Sequence, residues 1–160
     1  MKLAVEKLEA GYQGKTVVKD VSFTVEKGEF ISLIGPSGCG KSTVLKVLAG
    51  LLEPMAGTIM VDDAPLQGGS RHFSYMPQSD LLLDWYDILD NVCLYGKIHG
   101  KKKEAQQQAL ENLKEFGLAG YEHAYPSQLS GGMRQRAAFL RTALCDSDIL
   151  LLDEPFGALD

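Results

Sequence analysis

The sequence is poor in cysteine, in tryptophan and in long apolar runs. Its three cysteines, Cys39, Cys93 and Cys145, are odd in number and widely spaced. That argues against a disulfide framework or a zinc site and favours a reducing, cytoplasmic compartment. Uncharged apolar runs such as Ile149–Leu152 fall far short of the roughly 18 residues of a membrane span. Lys2, Glu6, Lys7 and Glu9 leave no room for the apolar stretch of a signal peptide. Positive charge is also short: 16 Lys and Arg against 21 Asp and Glu give a formal net charge of -5. That balance attracts neither a nucleic-acid backbone nor an anionic membrane. What is present is an ordinary globular composition, 45% hydrophobic and 23% charged, which excludes wholesale disorder. A chain of 160 residues suits one domain with a sizeable core.

The order of patterns predicts an α/β protein. Leu3, Val5 and Leu8 are interleaved with charges, and Val21, Phe23 and Val25 alternate with Ser22, Thr24 and Glu26, as in a half-buried strand. Residues 30–34 (FISLI) read as a buried strand, since Ser32 is their only polar residue. A glycine-dense loop at 35–40 follows, then an apolar-periodic helix from Lys41 to Ala49, with Gly50 placed to end it. Residues 57–61 and 73–76 read as short strands separated by a turn region at 65–69. Residues 87–118 are mostly helix formers, with Gly96, Gly100 and Gly117 as breaks. A further helix spans 130–144, with Met133, Ala137, Leu140 and Leu144 on one face, and 149–152 reads as a buried strand ending in Asp153-Glu154-Pro155. This gives a β-rich part with the glycine loop (1–80), a helical part (81–145) and a return to the β core (146–160).

Gly35-Pro36-Ser37-Gly38-Cys39-Gly40-Lys41-Ser42 matches the spacing G-x-x-x-x-G-K-[ST]. Such a loop wraps phosphates with backbone N–H groups, and its glycines allow close approach and positive φ. The following helix points its N-terminal dipole at the anion. Lys41 adds a positive charge at the β and γ phosphates, and the Ser42 hydroxyl is a ligand for Mg²⁺. Asp153 ends an apolar run, where a carboxylate has little reason to be unless it serves a cation. Glu154 beside it is the candidate general base or water-positioning group. An isolated Asp-Glu pair at a strand end would be unremarked surface; a phosphate loop in the same chain changes its meaning.

Leu129-Ser130-Gly131-Gly132-Met133-Arg134-Gln135-Arg136 resembles the signature motif of the ATP-binding cassette (ABC) ATPases. Read alone, Ser130 is a helix N-cap and the two glycines open a second set of backbone donors. One chain has little use for two γ-phosphate sites unless the second serves a partner's nucleotide. The resemblance implies that arrangement: two ATP molecules between head-to-tail protomers. It implies a P-loop NTPase fold with a RecA-like core, an antiparallel β subdomain and a helical signature subdomain. It assigns ATP to Tyr12, which would stack on adenine, to Gly35, Pro36, Ser37, Gly38, Cys39, Gly40, Lys41, Ser42 and Thr43, and to Ser130, Gly131, Gly132 and Asp160 across the dimer. It assigns Mg²⁺ to Ser42, Gln78 and Asp153, and the chemistry to Glu154 with Gln78. Residues 157–160 resemble the D-loop, which contacts the opposite protomer.

Two departures, Met133 in the signature and Gly157 opening the D-loop, are both frequent among importer ATPases. Residues 75–91 with Pro155-Phe156-Gly157 are similar to ATPases of nitrate, sulfonate and taurine-type importers, although Asp84 stands where a proline is usual. The resemblance therefore implies an ATPase subunit on the cytoplasmic face of the membrane. Its partners would be a second protomer, a transmembrane permease and, indirectly, a solute-binding protein, with no nucleic acid. Trp85 is a candidate anchor for the permease. A complete cassette would continue past Asp160 with core strands, helices and a switch histidine, and His72, His99 and His123 precede the signature. The fold is accordingly expected to be incomplete at its C-terminal end, and the chain by itself to be poorly soluble or partly unfolded, with Mg-dependent ATPase activity at background. The alternatives are a non-catalytic cassette remnant and, further off, a soluble non-transport ABC protein.

Overall fold

The computed structural model describes residues 2–66, 71–155 and 157. They form two compact units, divided after Phe73.

The first unit is built around β1 (Leu3–Tyr12), which runs antiparallel to β2 (Lys15–Val25) on one side and to β3 (Ala56–Val61) on the other. A two-residue β4 (Ala64–Pro65) pairs with β3, giving the order β2-β1-β3-β4. As the strand with neighbours on both sides, β1 holds the most buried side chains, Leu3, Val5, Leu8 and Ala10. Val5 and Leu8 are three positions apart, yet both face inward. The register shifts between them, and Lys7 sits at φ 48° with its N–H donating to Ser22 Oγ at 2.8 Å. The extra residue of a bulge restores the parity of the strand. Across from it, Gly57 has φ 93° and a Cβ there would lie 2.5 Å from the Lys7 carbonyl oxygen, so glycine alone fits. Along β2, Val21, Phe23 and Val25 are half-buried between exposed Ser22, Thr24 and Glu26, as the alternation predicts.

Helix α1 (Lys41–Leu48) lies against β1 and buries Val44, Val47 and Leu48. It ends as expected at Gly50, where N–H bonds from Gly50 to Val47 O (3.0 Å) and from Leu51 to Lys46 O (2.8 Å) close a Schellman motif. One expectation fails here. Residues 30–34 form no strand, and Phe30 and Ile34 are 87% and 92% exposed. An apolar run becomes a strand only where a neighbour supplies ladder partners, and among the described residues no strand pairs with this one. The turn region at 65–69 is also revised at its start, since Pro65 belongs to β4; residues 67–69 lie outside the described residues.

In the second unit β5 (Phe73–Met76) pairs with β6 (Ile149–Leu152). Both strands have the predicted bounds. Only Leu151 of β6 is buried, however, and Leu150 is 36% exposed, because a two-stranded sheet leaves faces uncovered. The helices are α2 (Ile88–Val92), α3 (Leu94–Ile98), α4 (Lys102–Glu115) and α5 (Gly131–Ala143), with a 3-10 turn at Pro126–Gln128 before α5. Their core joins Met76, Ile88, Val92, Leu113, Leu118 and Leu140, with the Phe116 and Phe139 rings stacked 5.6 Å apart. The predicted face of α5 is the packed one: Ala137 and Leu140 are buried, and Met133 and Leu144 pack beside them. Gly96 is not a break. It lies inside α3, buried, where a Cβ would come 2.3 Å from Ala105 Cβ, so it is the contact that lets α3 and α4 close. The breaks fall at Cys93, at Gly100 and, as predicted, at Gly117. Burial, with the nearby Asp90 carboxylate, pushes the Cys93 thiol up to about 11, which keeps it protonated and unreactive. Among the described residues no helix is long and apolar enough to cross a membrane.

Candidate functional site

The glycine loop enters α1 through Gly40, the N-cap residue, at φ 103°. A Cβ at Gly40 would lie 2.6 Å from Val18 Cγ2, and one at Gly35 would lie 2.7 Å from Cys39 Sγ. Side chains at Gly35 and Gly40 are thus excluded by close neighbours, while Gly38, with open space around it, takes the positive φ of 79° that the turn needs. Cys39 N–H donates to Pro36 O at 3.3 Å, closing the turn. Lys41 folds back over it, and its Nζ donates to the carbonyls of Gly35 (2.9 Å) and Pro36 (3.0 Å). Gly40 offers no side-chain cap to the first turn of α1. Backbone donors at a helix start, a flexible ammonium above them and exposed Ser37 and Gly38 fit a polyphosphate. Ser42 is half-buried and Thr43 buried in the first turn of α1. Tyr12, at the end of β1, is 43% exposed, and Lys46 Nζ lies 5.9 Å from its ring centroid. Tyr12 thus lies outside the core that buries Leu3, Val5, Leu8 and Ala10 of the same strand.

In the second unit, Asp153 continues the pairing of β6, its N–H donating to Met76 O at 2.9 Å. Its side chain is 5% exposed, and the Tyr75 hydroxyl donates to Oδ2 at 3.1 Å. Glu154 follows at φ 49°, a left-handed conformation that costs a non-glycine residue on the order of 1–3 kcal/mol. The turn swings the carboxylate out of the sheet, and Gly157 N–H closes it onto Glu154 O at 3.1 Å. There Gln78 Nε2 donates to Glu154 Oε2 at 2.8 Å. The two residues expected to carry the chemistry are therefore in contact, although 76 positions separate them in the chain. Among the described residues no group of three or more His, Cys, Asp or Glu could hold a metal by itself. A single buried carboxylate suits Mg²⁺, which takes one or two protein carboxylates and relies on waters and phosphate oxygens for the rest.

Ser130 caps α5 as predicted, its Oγ accepting from Met133 N–H at 3.3 Å, and Gly131 and Gly132 are the first helical residues. Asp160 lies outside the described residues. His99 and His123 are exposed; His99 stacks on Tyr95 at 4.0 Å, and His123 Nδ1 lies 3.0 Å from Asp87 Oδ2.

Several neighbours of the site carried no signal of their own in the sequence. Tyr75, which fixes Asp153, had no role of its own assigned from the sequence. Asp80 and Arg141 had no role assigned and Arg134 stood only within the signature resemblance, yet Arg134 Nε donates to Asp80 Oδ2 at 3.1 Å and Arg141 Nη2 to Asp80 O at 2.8 Å. An arginine flanked by the apolar residues of α5 was the available hint.

A phosphate cradle at a helix start and a strand that ends in a buried aspartate are the working parts of a P-loop nucleotide-binding fold. The chain belongs to the ABC transporter family, whose pattern matches residues 18–157. It is 45% identical over 159 residues to the taurine import ATP-binding protein TauB of Yersinia pestis bv. Antiqua (strain Antiqua), covering 99% of this chain and 62% of that protein. It is 49% identical over 149 residues to the aliphatic sulfonates import ATP-binding protein SsuB 1 of Rhodococcus jostii (strain RHA1), covering 93% of this chain and 58% of that protein. Among solved structures, the ATP-binding cassette MJ0796, dimeric in a post-hydrolysis state with ADP and Pi, matches with a TM-score of 0.85 at 30% identity. That match covers 99% of this chain and 76% of the other. The expected resemblance to sulfonate- and taurine-type importer ATPases is borne out. The chain spans less than two thirds of the length of these curated relatives.

Proposed function

We propose that the chain acts within the ATP-hydrolysing subunit of a binding-protein-dependent importer. The observation that carries this reading is the Gln78–Glu154 hydrogen bond, at 2.8 Å, beside the buried Asp153. It supports a water-activating pair next to a cation ligand, in a chain that also carries a phosphate loop. The amides of 35–42, with Lys41 Nζ, bind the phosphates; Lys41 gives up the carbonyls of Gly35 and Pro36 to do so. Tyr12 presents its ring to adenine. Ser42, Gln78 and Asp153 would hold Mg²⁺, which when bound neutralises charge developing on the phosphates. Glu154 accepts the proton of the attacking water, and Gln78 orients that water. Tyr75 keeps the Asp153 carboxylate in place.

In this reading residues 1–80 are the β-rich nucleotide-binding part, 81–145 the helical part and 146–160 the catalytic return. Ser130, Gly131 and Gly132, with Asp160, meet the nucleotide of a second protomer in a head-to-tail dimer. The subunit sits on the cytoplasmic face of the membrane beneath a permease, for which Trp85, 71% exposed, offers an aromatic anchor. A solute-binding protein is an indirect partner. Relatives of similar identity are named for taurine and for aliphatic sulfonates, which fits a subunit that never touches the solute.

The test is Glu154→Gln in the full-length protein. The amide keeps size and hydrogen bonding, so ATP affinity is expected to stay while MgATP turnover falls to background. Turnover at the wild-type rate would remove Glu154 from the chemistry.

A further inference from the structure

Three side chains of helix α5 hold the segment that carries Gln78, whose far end at Leu83 is bonded by Asn91 of α2. Gln135 Nε2 of α5 donates to the Gln78 carbonyl at 3.2 Å, and Arg134 Nε donates to Asp80 Oδ2 at 3.1 Å. The Arg141 fork then takes two successive carbonyls, Leu81 O from Nη1 at 2.7 Å and Asp80 O from Nη2 at 2.8 Å. Arg134 and Arg141 lie about two helical turns apart and so share one face of α5.

Between the two carbonyls that Arg141 grips lies Leu81, at φ 46°. A leucine in the left-handed region is strained, and here its side chain is turned outward, 60% exposed, so no packing of its own compensates. Such strain persists only where the surroundings over-determine it. A planar guanidinium fork across both carbonyls is that kind of constraint, and a lysine, with no fork, would not reproduce it. The Arg141 guanidinium is itself partly buried, which lowers its pKa from the ordinary value, with Asp80 opposing.

We propose that Arg141 is a positioning residue for Gln78: by fixing the carbonyls of Asp80 and Leu81 it holds the left-handed turn that aims Gln78 at Glu154, and it ties that aim to helix α5. The proposal rests on the reading of Gln78 and Glu154 as the hydrolytic pair. Its consequence is that the catalytic pair and the Ser130 end of α5 move as one body.

The test compares full-length wild type, Arg141→Met, Leu81→Gly and the double variant. The readouts are ATP affinity, MgATP turnover and amide hydrogen exchange of residues 79–83. Arg141→Met is expected to leave ATP affinity unchanged, to lower kcat about tenfold or more, and to speed exchange in 79–83. Glycine adopts the left-handed turn without strain, so Leu81→Gly in the same chain is expected to recover most of both losses. Unchanged kcat and exchange in Arg141→Met would overturn the proposal, and so would losses that Leu81→Gly leaves unrepaired. Should Arg141→Met fail to fold, Arg141→Lys is the milder variant, with the same signs expected and the same outcomes decisive. If the wild type hydrolyses no ATP, the functional reading fails by itself, while exchange at 79–83 still decides whether Arg141 holds the turn.

Discussion

Lys41 illustrates how much of this site depends on single groups. Its ammonium rests on two carbonyls of its own loop, so it is already poised above the cradle and needs no rearrangement of α1 to meet an anion. Lys41→Ala in the full-length protein is expected to weaken ATP binding by about 1.5–3 kcal/mol, the worth of a charged hydrogen bond. Equal affinities by calorimetry would refute that. At this scale the sequence was legible where a residue's meaning lies in its near neighbours. Asp153 and Glu154 stand out because they end an apolar run, and Ser130 because two glycines follow it. Tyr75 and Arg141 were not legible. Their partners lie 78 and 61 positions away, and no local pattern marks a side chain whose role is to hold a distant carboxylate or carbonyl.

At the scale of elements, α2 is five residues long and too short to be stable by propensity. Two side chains hold it. Asp87 caps it through Asp90 N–H at 2.7 Å. Asn91 is fully buried and satisfies four backbone groups: its Oδ1 accepts from Leu83 N–H at 2.7 Å, and its Nδ2 donates to the carbonyls of Leu83 (3.1 Å), Tyr86 (3.1 Å) and Asp87 (3.0 Å). Removing the amide leaves buried backbone groups unpaired, so Asn91→Ala is expected to cost about 2–4 kcal/mol of unfolding free energy. A denaturant midpoint equal to wild type would show that water replaces the amide. The bounds of β5, β6 and α5 followed from local signals: period, cap and flanking turn. Residues 30–34 did not become a strand because a strand is a property of a pair, and composition speaks for one member only. Gly96 was misread for a related reason. Glycine marks either a break or a close approach, and only the position of Ala105 decides between them.

For the whole molecule, the family pattern was readable because its motifs are short and keep their order, whereas the packing that joins them is written over long separations. Trp85 gives a handle on assembly. It is the sole tryptophan of the chain and 71% exposed, so acrylamide is expected to quench its fluorescence readily in the free subunit. Quenching should fall on assembly with the permease; an unchanged quenching constant would take Trp85 out of that interface. The bared segment at 30–34 has a different bearing, on colloidal behaviour. It presents five uncharged residues with no ladder partner among the described residues, and its two end residues are nearly fully exposed. Unpaired apolar backbone adds readily to its own kind. A net charge of -5 spread over the surface repels weakly at physiological salt. Dispersal of this chain therefore depends on what covers those five residues as well as on its charge.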